Sequence, residues 1–277
     1  MSRGSGDRIL VLADREALPG FKVDGGSCLA IQMAGGETWL WGTGCSPAFL
    51  ENSSRLGVDL RDVRGVCLSH GHVAQTGGLE ALLRHPEFQG VIVAHPRFAV
   101  GRYGKDAKAA RRIGCPCRLD LLESREMRIA ENCLPLNERL FMLANIPRAP
   151  DNIQLTEGLC LDPGGQWHDT VPDDACLVLR LRDRRLAIFF GGCHSGVANT
   201  LSWVRRYFDG RIHALLGGLS LARGGDGAIR ETAETLRRFD VGVLLPAGIT
   251  GTGPLAGLRR AYSGRISPLA AGMSVSL

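Results

Sequence analysis

Ser69-His70-Gly71-His72-Val73-Ala74-Gln75-Thr76-Gly77-Gly78-Leu79 is the stretch of sequence that decides the fold of this chain. It follows the apolar, β-branched run from Val63 to Leu68, which predicts a strand, so the two histidines should stand on the loop where that strand ends. Glycine suits a backbone that turns sharply into a helix or approaches a ligand closely. Two histidines in a loop are often no more than polar loop residues, but this setting favours a metal site.

A second pair of metal ligands is missing from this stretch. In the pattern His-x-His-x-Asp-His, the two histidines at the start bind one Zn²⁺ and the Asp-His pair binds a second ion about 3.5–4 Å away. Here that pair reads Ala74-Gln75. A methyl group has no lone pair to donate, and a neutral carboxamide is a poor zinc ligand compared with imidazole. The stretch therefore predicts the fold of a two-metal hydrolase more firmly than it predicts the activity.

Four stretches, in order along the chain, resemble the metallo-β-lactamase superfamily and, within it, the branch of 7,8-dihydropterin-6-methyl-4-(β-D-ribofuranosyl)aminobenzene 5′-phosphate synthase. The branch's Leu-Ser-His-Gly-His-x-Asp-His-Thr-Gly-Gly-Leu is matched by Leu68 to Leu79 except at positions 74 and 75. Gly192 to Thr200 is similar to its Gly-Cys-Ser-His-x-Gly-Ile-Val-Asn-Thr with one residue deleted. Gly217 to Leu221 is similar to Gly-Gly-x-His-Leu, and Pro246 to Gly251 to Pro-x-His-Cys-Thr-Gly.

The departures from these patterns fall on positions to which the resemblance gives metal or active-site work. They are Gly42, where the family tends to have aspartate, and Ala74, Gln75, Ser220 and Ala247. By contrast, His70, His72 and His194 remain, and three histidines suffice for one tetrahedral Zn²⁺ with water in the fourth position. Two alternatives stay open for the third ligand, namely Asp174 and His168. We therefore expect one zinc ion at most, or none.

Catalytic and substrate-binding residues follow from the same comparison. Because aspartate is absent at position 74, catalysis would have to use Asp173, Asp174 or a group of the substrate. Two glycine-rich turns precede predicted helices, where free amides and the helix dipole suit an anion. The candidate anion-binding residues in these turns are Ser195, Gly196, Thr250 and Gly251. The resemblance implies a pterin- or phosphate-containing metabolite, so a phosphorylated small molecule is the expected class of ligand.

Short apolar runs in both halves of the chain, with helical patterns between them, predict two packed sheets with helices outside each. This is the αββα four-layer sandwich that the resemblance also implies. We expect residues 1–277 to form a single domain of this type. Residues 97–170 follow neither strand nor helix periodicity and are expected to form a lid-like insertion, or else plain connecting structure.

Composition excludes several other classes of function. The 277 residues are 44% hydrophobic, enough to bury a large core. The net charge of +5 is a mild excess, the arginine pairs lie in helical patterns, and only 6% of residues are aromatic, so we expect no nucleic-acid partner. The nine cysteines are dispersed and odd in number, which favours a reducing, cytoplasmic compartment. No apolar run reaches the roughly 18 residues of a membrane span, so no membrane partner is expected.

Two hypotheses of function remain from the sequence. One is a degenerate, non-catalytic relative, a pseudoenzyme that lost its second metal site and binds a small ligand or a partner protein. The other is a mono-zinc hydrolase or synthase acting on a phosphate- or pterin-containing metabolite. The metal content of the purified protein would discriminate between them. The sequence gives no prediction of the oligomeric state.

Overall fold

The computed structural model describes residues 6–105 and 109–277. The strands, in chain order, are β1 (Arg8–Ala13), β2 (Cys28–Gln32), β3 (Thr38–Trp41), β4 (Val63–Leu68), β5 (Val91–Ala94), β6 (Tyr103–Lys105), β7 (Ala110–Arg112), β8 (Met127–Ile129), β9 (Cys133–Pro135), β10 (Leu140–Leu143), β11 (Leu159–Cys160), β12 (Cys176–Arg180), β13 (Leu186–Phe190), β14 (Ile212–Gly217), β15 (Val243–Pro246) and β16 (Ser274–Ser276). The helices are α1 (Ala48–Arg55), α2 (Val73–Thr76), α3 (Leu79–Arg84), α4 (Leu119–Glu123), α5 (Val197–Arg205), α6 (Gly225–Arg238) and α7 (Thr252–Ala261).

The strands form two large sheets and one small one. The seven-stranded sheet has the order β16-β1-β2-β3-β4-β5-β8, and the six-stranded sheet has the order β15-β14-β13-β12-β10-β9. Strands β3, β4, β5 and β8 are mutually parallel, as are β13, β14 and β15, because helices connect most of them. The loops that follow parallel strands therefore emerge at one edge of each sheet.

Side chains of the seven-stranded sheet alternate between two apolar layers. On β1, Ile9 and Val11 belong to the core between the two sheets. Leu10 and Leu12 belong instead to the core on the outer face, with Phe49 of α1. This period of two is what an extended strand buried on both faces requires.

The six-stranded sheet repeats the arrangement. On β12, Leu177 and Leu179 join the core between the sheets, whereas Cys176 and Val178 pack on the other side with Leu236 of α6. The order of layers is therefore helices, sheet, sheet, helices, and the predicted αββα sandwich is confirmed.

Part of the predicted lid-like insertion at 97–170 contributes strands to the two large sheets. Strand β8 extends the seven-stranded sheet, and β9 and β10 extend the six-stranded sheet, so this part of the chain belongs to the main sandwich. Each of these strands is only three or four residues long, too short for a periodic pattern to show in the sequence. The remainder includes β6, β7 and β11, which form the small antiparallel sheet.

Among the described residues, no helix combines the length and the apolar character that crossing a membrane requires.

Candidate metal centre

Three buried histidines meet at the edge of the sandwich. His70 and His72 lie on the loop after β4, and His194 lies on the loop between β13 and α5. The ring centroids are 4.6 Å apart for His70 and His72, 4.7 Å for His70 and His194, and 4.9 Å for His72 and His194. The ring planes are nearly perpendicular to one another, and the candidate ligand atoms lie within 4.8 Å of each other. Three imidazoles thus surround one point in space.

Burial sets the protonation of this cluster. Desolvation lowers the pKa of His70 and His72 well below the ordinary value, and the neighbouring histidines and Arg102 add to the effect. Desolvation also lowers the pKa of His194, although the charge of Asp174 opposes it. The three rings are therefore neutral at pH 7, which is the form that binds a metal ion.

The hydrogen bonds of the rings leave nitrogen lone pairs for a ligand. The Nδ1 atom of His194 lies 2.7 Å from the carbonyl oxygen of Leu155, so Nδ1–H donates and Nε2 carries the lone pair. The Nδ1 atom of His70 is paired with the Ser69 hydroxyl at 2.9 Å. The Nε2 atom of His72 is buried and has no hydrogen-bond partner. A buried nitrogen without a hydrogen-bond partner lowers the stability of the folded protein, and a bound divalent cation would offset that loss.

Gly192 keeps open the space at the centre of the cluster. A Cβ atom at this position would lie 2.7 Å from Nε2 of His194 and 3.1 Å from Cε1 of His70. The residues present therefore fit a single metal ion held by three histidines, with a fourth position left for water or substrate.

Of the three candidates for the third ligand, the structure brings His194 to the cluster. Across residues 6–105 and 109–277, the group able to hold an ion here consists of His70, His72 and His194. Asp174 instead accepts a hydrogen bond from the backbone N–H of Ser195 at 2.7 Å through Oδ2. His168 is exposed, and its Nε2 atom lies 3.2 Å from the hydroxyl of Thr156.

Asp173 also points to the backbone rather than to the space above the histidines. Its Oδ2 accepts from the N–H of Gly71 at 2.8 Å, and its Oδ1 lies 2.5 Å from Nη2 of Arg102. Burial raises the pKa of Asp173 to about 6, and the charge of Arg102 opposes that rise. Asp173 and Asp174, which were predicted to be catalytic, are both buried and are not among the residues that line the cleft, and Oδ1 of Asp174 has no hydrogen-bond partner.

Neutral side chains occupy the positions at which the resemblance implies further metal ligands. Gln75 is fully buried, and its Oε1 atom would lie 2.6 Å from a Cβ at position 42, where Gly42 has φ +73°. A side chain at position 42 would therefore collide with Gln75. Ala74 and Ser220 line the cleft above the histidines, and Ala247 is buried below it. These four side chains offer no carboxylate or imidazole to a second cation.

The histidines lie on the floor of a cleft of about 680 Å³. Three cationic side chains line it, namely Arg15, Lys105 and Arg223. Among the described residues that line the cleft, Glu157 supplies the one carboxylate, and its backbone carbonyl accepts a hydrogen bond from Arg223. The excess of positive charge favours an anionic ligand.

Of the four residues expected to bind an anion, Thr250 lines this cleft. Its Oγ1 atom accepts a hydrogen bond from the N–H of Leu219 at 3.1 Å. The N–H of Ser195 is already used by Asp174, and the carbonyl of Ile153 covers Gly196. Gly251 directly precedes helix α7 and is not among the residues that line the cleft.

Sequence reasoning missed the three cations of the cleft. Arg15 follows β1, Lys105 ends β6 and Arg223 follows β14, so they are far apart in sequence and no short motif connects them. The strands β1, β6 and β14 belong to three different sheets, so no local signal could have brought these cations together.

A buried carboxylate beside the cleft leads to a prediction about pH. Asp14 accepts hydrogen bonds from the backbone N–H groups of Gly248 at 3.0 Å and Glu16 at 3.1 Å. Desolvation raises its pKa from 3.8 to about 6, so the folded protein binds this proton more tightly than the unfolded chain. The contribution of Asp14 to stability is therefore full below pH 3.8 and falls as the pH rises to about 6.

In the variant Asp14→Asn, the side chain at position 14 does not titrate. We expect the free energy of unfolding of the wild type, relative to this variant, to fall by up to about 3 kcal/mol between about pH 4 and pH 6.5. Urea unfolding across that range measures the difference, in which the other titrating groups cancel. The exposed Asp183, whose pKa is lowered by Arg185, gives the control Asp183→Asn, and no such fall is expected there. A pH-independent difference at Asp14 would contradict the assignment.

Comparisons with known proteins place this geometry in context. The sequence profile of the metallo-beta-lactamase superfamily matches residues 22–248. No curated protein matches the chain in sequence. The solved structure of Tm1679, described as a metal-dependent hydrolase of the beta-lactamase superfamily, is similar with a TM-score of 0.83 and 23% identity, over 98% of this chain and 99% of that one.

Two further solved structures share the fold at greater distance. Unliganded yeast PDE1 has a TM-score of 0.59 and 10% identity, over 99% of this chain and 100% of that one. The metallo-beta-lactamase fold protein YhfI from Bacillus subtilis has a TM-score of 0.55 and 13% identity, over 98% and 100%. At these identities the likeness shows the fold alone, whereas the match of the profile spans most of the sequence. The chain belongs to the metallo-β-lactamase superfamily.

Proposed function

We propose that this protein is a single-metal hydrolase that acts on a small anionic metabolite. The observation that carries the proposal is the cluster of His70, His72 and His194 on the floor of a cationic cleft. A divalent ion held by three imidazoles lowers the pKa of water in the fourth position toward about 7 and polarises an oxygen of the substrate. The residues that would hold it are these three histidines.

The side chains of the cleft supply the remaining functions. Arg15, Lys105 and Arg223 would bind the anionic group of the substrate and hold it against the histidines. Glu157, as the carboxylate among the described lining residues, would accept a proton. The resemblance of Leu68 to Leu79 to the pterin-synthase branch, together with these cations, supports a phosphate-bearing metabolite.

A second candidate function is supported by the neutral positions around the cleft. Ala74, Ser220 and Ala247 offer no group that could serve as a base, and Asp173 and Asp174 are engaged with backbone amides. These features favour a non-catalytic relative that keeps one metal ion, or none, and binds the same kind of anion.

Metal analysis tests the proposal directly. We expect the protein, purified without chelator or added metal, to contain no more than one divalent ion per chain. Replacing His72 by alanine removes one of three ligands, so it should lower zinc affinity by at least about a hundredfold. His168→Ala is the matched control, since His168 is exposed and outside the cluster, and it should leave affinity unchanged.

Activity separates the two candidate functions. Hydrolysis of phosphoesters or lactones by the metal-loaded wild type, lost in His72→Ala and retained in His168→Ala, would support the hydrolase. A rise in melting temperature with phosphorylated compounds but no product would favour the binding protein. Failure of the wild type to bind zinc, even when zinc is in excess, would contradict the single-metal proposal.

A further inference from the structure

A buried ion pair lies directly behind the histidine loop. Arg102 is 1% exposed, and its guanidinium contacts Asp169 at 2.7 Å and Asp173 at 2.5 Å. A buried arginine carries a large desolvation cost unless it is well paired, and here it meets two carboxylates. Removing the guanidinium would leave two buried carboxylates without their cation.

The ion pair reaches the backbone between two candidate ligands. The second oxygen of Asp173 accepts from the N–H of Gly71, which lies between His70 and His72. The bond between Arg102 and Asp173 therefore fixes the position of this carboxylate. The carboxylate in turn fixes the backbone of Gly71 through its hydrogen bond.

The backbone of Arg102 holds the other side of His72. Its carbonyl oxygen accepts from the N–H groups of Ile113 at 2.9 Å and Gly114 at 3.1 Å. The carbonyl of Ile113 then accepts from the N–H of Val73 at 2.6 Å, and His72 forms an isolated bridge with Gly114. Gly71 and Val73, the two neighbours of His72, are thus each hydrogen-bonded to a residue that Arg102 contacts directly.

The neighbouring carboxylate connects this loop to the one that carries the third histidine. Asp174 accepts from the N–H of Ser195, the residue after His194. Asp173 and Asp174 are adjacent in the chain, so one short segment is bonded to Gly71 and to Ser195 at once. The separation of the two histidine loops therefore depends on where Asp173 and Asp174 stand.

We propose that Arg102 is a positioning residue of the metal centre, which acts through Asp173 and the backbone of Gly71 to set the spacing of the three histidines. This inference rests on the proposed function, because it concerns affinity for the ion that the histidines would hold. Arg102 itself lies outside the group of candidate ligands and is not among the residues that line the cleft.

The test compares the buried Arg102 with Arg139, a partly buried arginine that also pairs with a buried aspartate. In Arg102→Met, zinc affinity of the metal-free protein, measured by competition with a chromophoric chelator, should fall by about ten- to a hundredfold, the range found for groups that orient metal ligands. The matched control is Arg139→Met, which breaks the ion pair with Asp7 at 2.5 Å. Asp7 precedes β1 and Asp14 follows it, so the control pair lies at the edge opposite the cleft. Arg139→Met should lose stability but keep its zinc affinity within about twofold.

A conservative variant and a second measurement distinguish an effect on the metal centre from a loss of folding. Arg102→Lys keeps the charge but offers no fork to two carboxylates, so it should recover part of the affinity that Arg102→Met loses. Hydrogen exchange at the N–H of Gly71 in the metal-free protein should be faster in Arg102→Met than in Arg139→Met. Unchanged zinc affinity and unchanged exchange at Gly71 in folded Arg102 variants would overturn the proposal.

The two readouts also separate this inference from the proposed function. If the wild type binds no zinc, the single-metal proposal fails, and the exchange rate at Gly71 still decides whether Arg102 positions the loop. If the wild type binds zinc and the Arg102 variants bind it equally well, the positioning role alone is wrong.

Discussion

Replacing Gly192 by alanine is expected to abolish metal binding while the protein remains folded. The added Cβ would lie 2.7 Å from Nε2 of His194, closer than real Cβ atoms approach such groups, and a tight 3.1 Å from Cε1 of His70. The methyl group would therefore occupy the space between the rings and force them apart. Relaxation of this contact should cost about 1–3 kcal/mol of stability, typical of one extra methyl in a packed site.

The experiment needs a glycine whose replacement meets no obstacle. A Cβ at Gly253 of α7 would find no heavy atom within 4 Å, so Gly253→Ala is the matched control. We expect zinc content near that of the wild type for Gly253→Ala and no bound zinc for Gly192→Ala. Circular dichroism and the melting temperature report on the fold. Full zinc content in a folded Gly192→Ala protein would mean that the ion binds somewhere other than between the three rings.

Restoring ligands to the second site should raise the metal content. Ala74→Asp, Gln75→His and Ala247→His together would supply a carboxylate and two imidazoles, which a second cation needs to offset its desolvation and its repulsion by the first. We expect elemental analysis to give about two ions per chain for this triple variant, against one at most for the wild type. The single variant Gln75→His is the control and should stay at one or below.

The outcome of this restoration depends on geometry as well as on ligand type. Gly42 leaves room beside position 75, since a Cβ there would lie 2.6 Å from the present Gln75 Oε1. A triple variant that folds but still binds one ion would show that the loops have lost the family geometry. Two tightly bound ions in the unmodified protein would overturn the assignment of the neutral positions.

The sequence predicted the sandwich because its main strands are long enough to show alternation. Strand β4 agrees residue for residue with the apolar run from Val63 to Leu68. Helix α1 begins directly after Pro47, which occupies the N-cap position, and Gly57 at φ +70° follows its C-cap. These signals are local, so a single sequence carries them. Strands β8, β9 and β10 are too short to carry such a signal.

The sequence predicted which histidines form the candidate site, but not what the neighbouring carboxylates do. The spacing of His70 and His72 and the motif around His194 indicated which imidazoles would meet. The roles of Asp173 and Asp174 did not follow from the sequence, because a carboxylate can face a metal, a substrate or a backbone amide. The partner of Asp173, Arg102, stands 71 residues away, and nothing in the local pattern connects the two.

The hydrogen bonds of Asp14 bear on how such a protein changes over evolutionary time. Asp14 holds the N–H of Gly248 and so fixes the loop that carries Ala247, a position where the family pattern has histidine. A loop anchored by its own carboxylate keeps its shape when a ligand on it is replaced. We therefore expect a substitution at position 247 to change the ligand offered there without unfolding the loop, so that chemistry and folding depend on different residues.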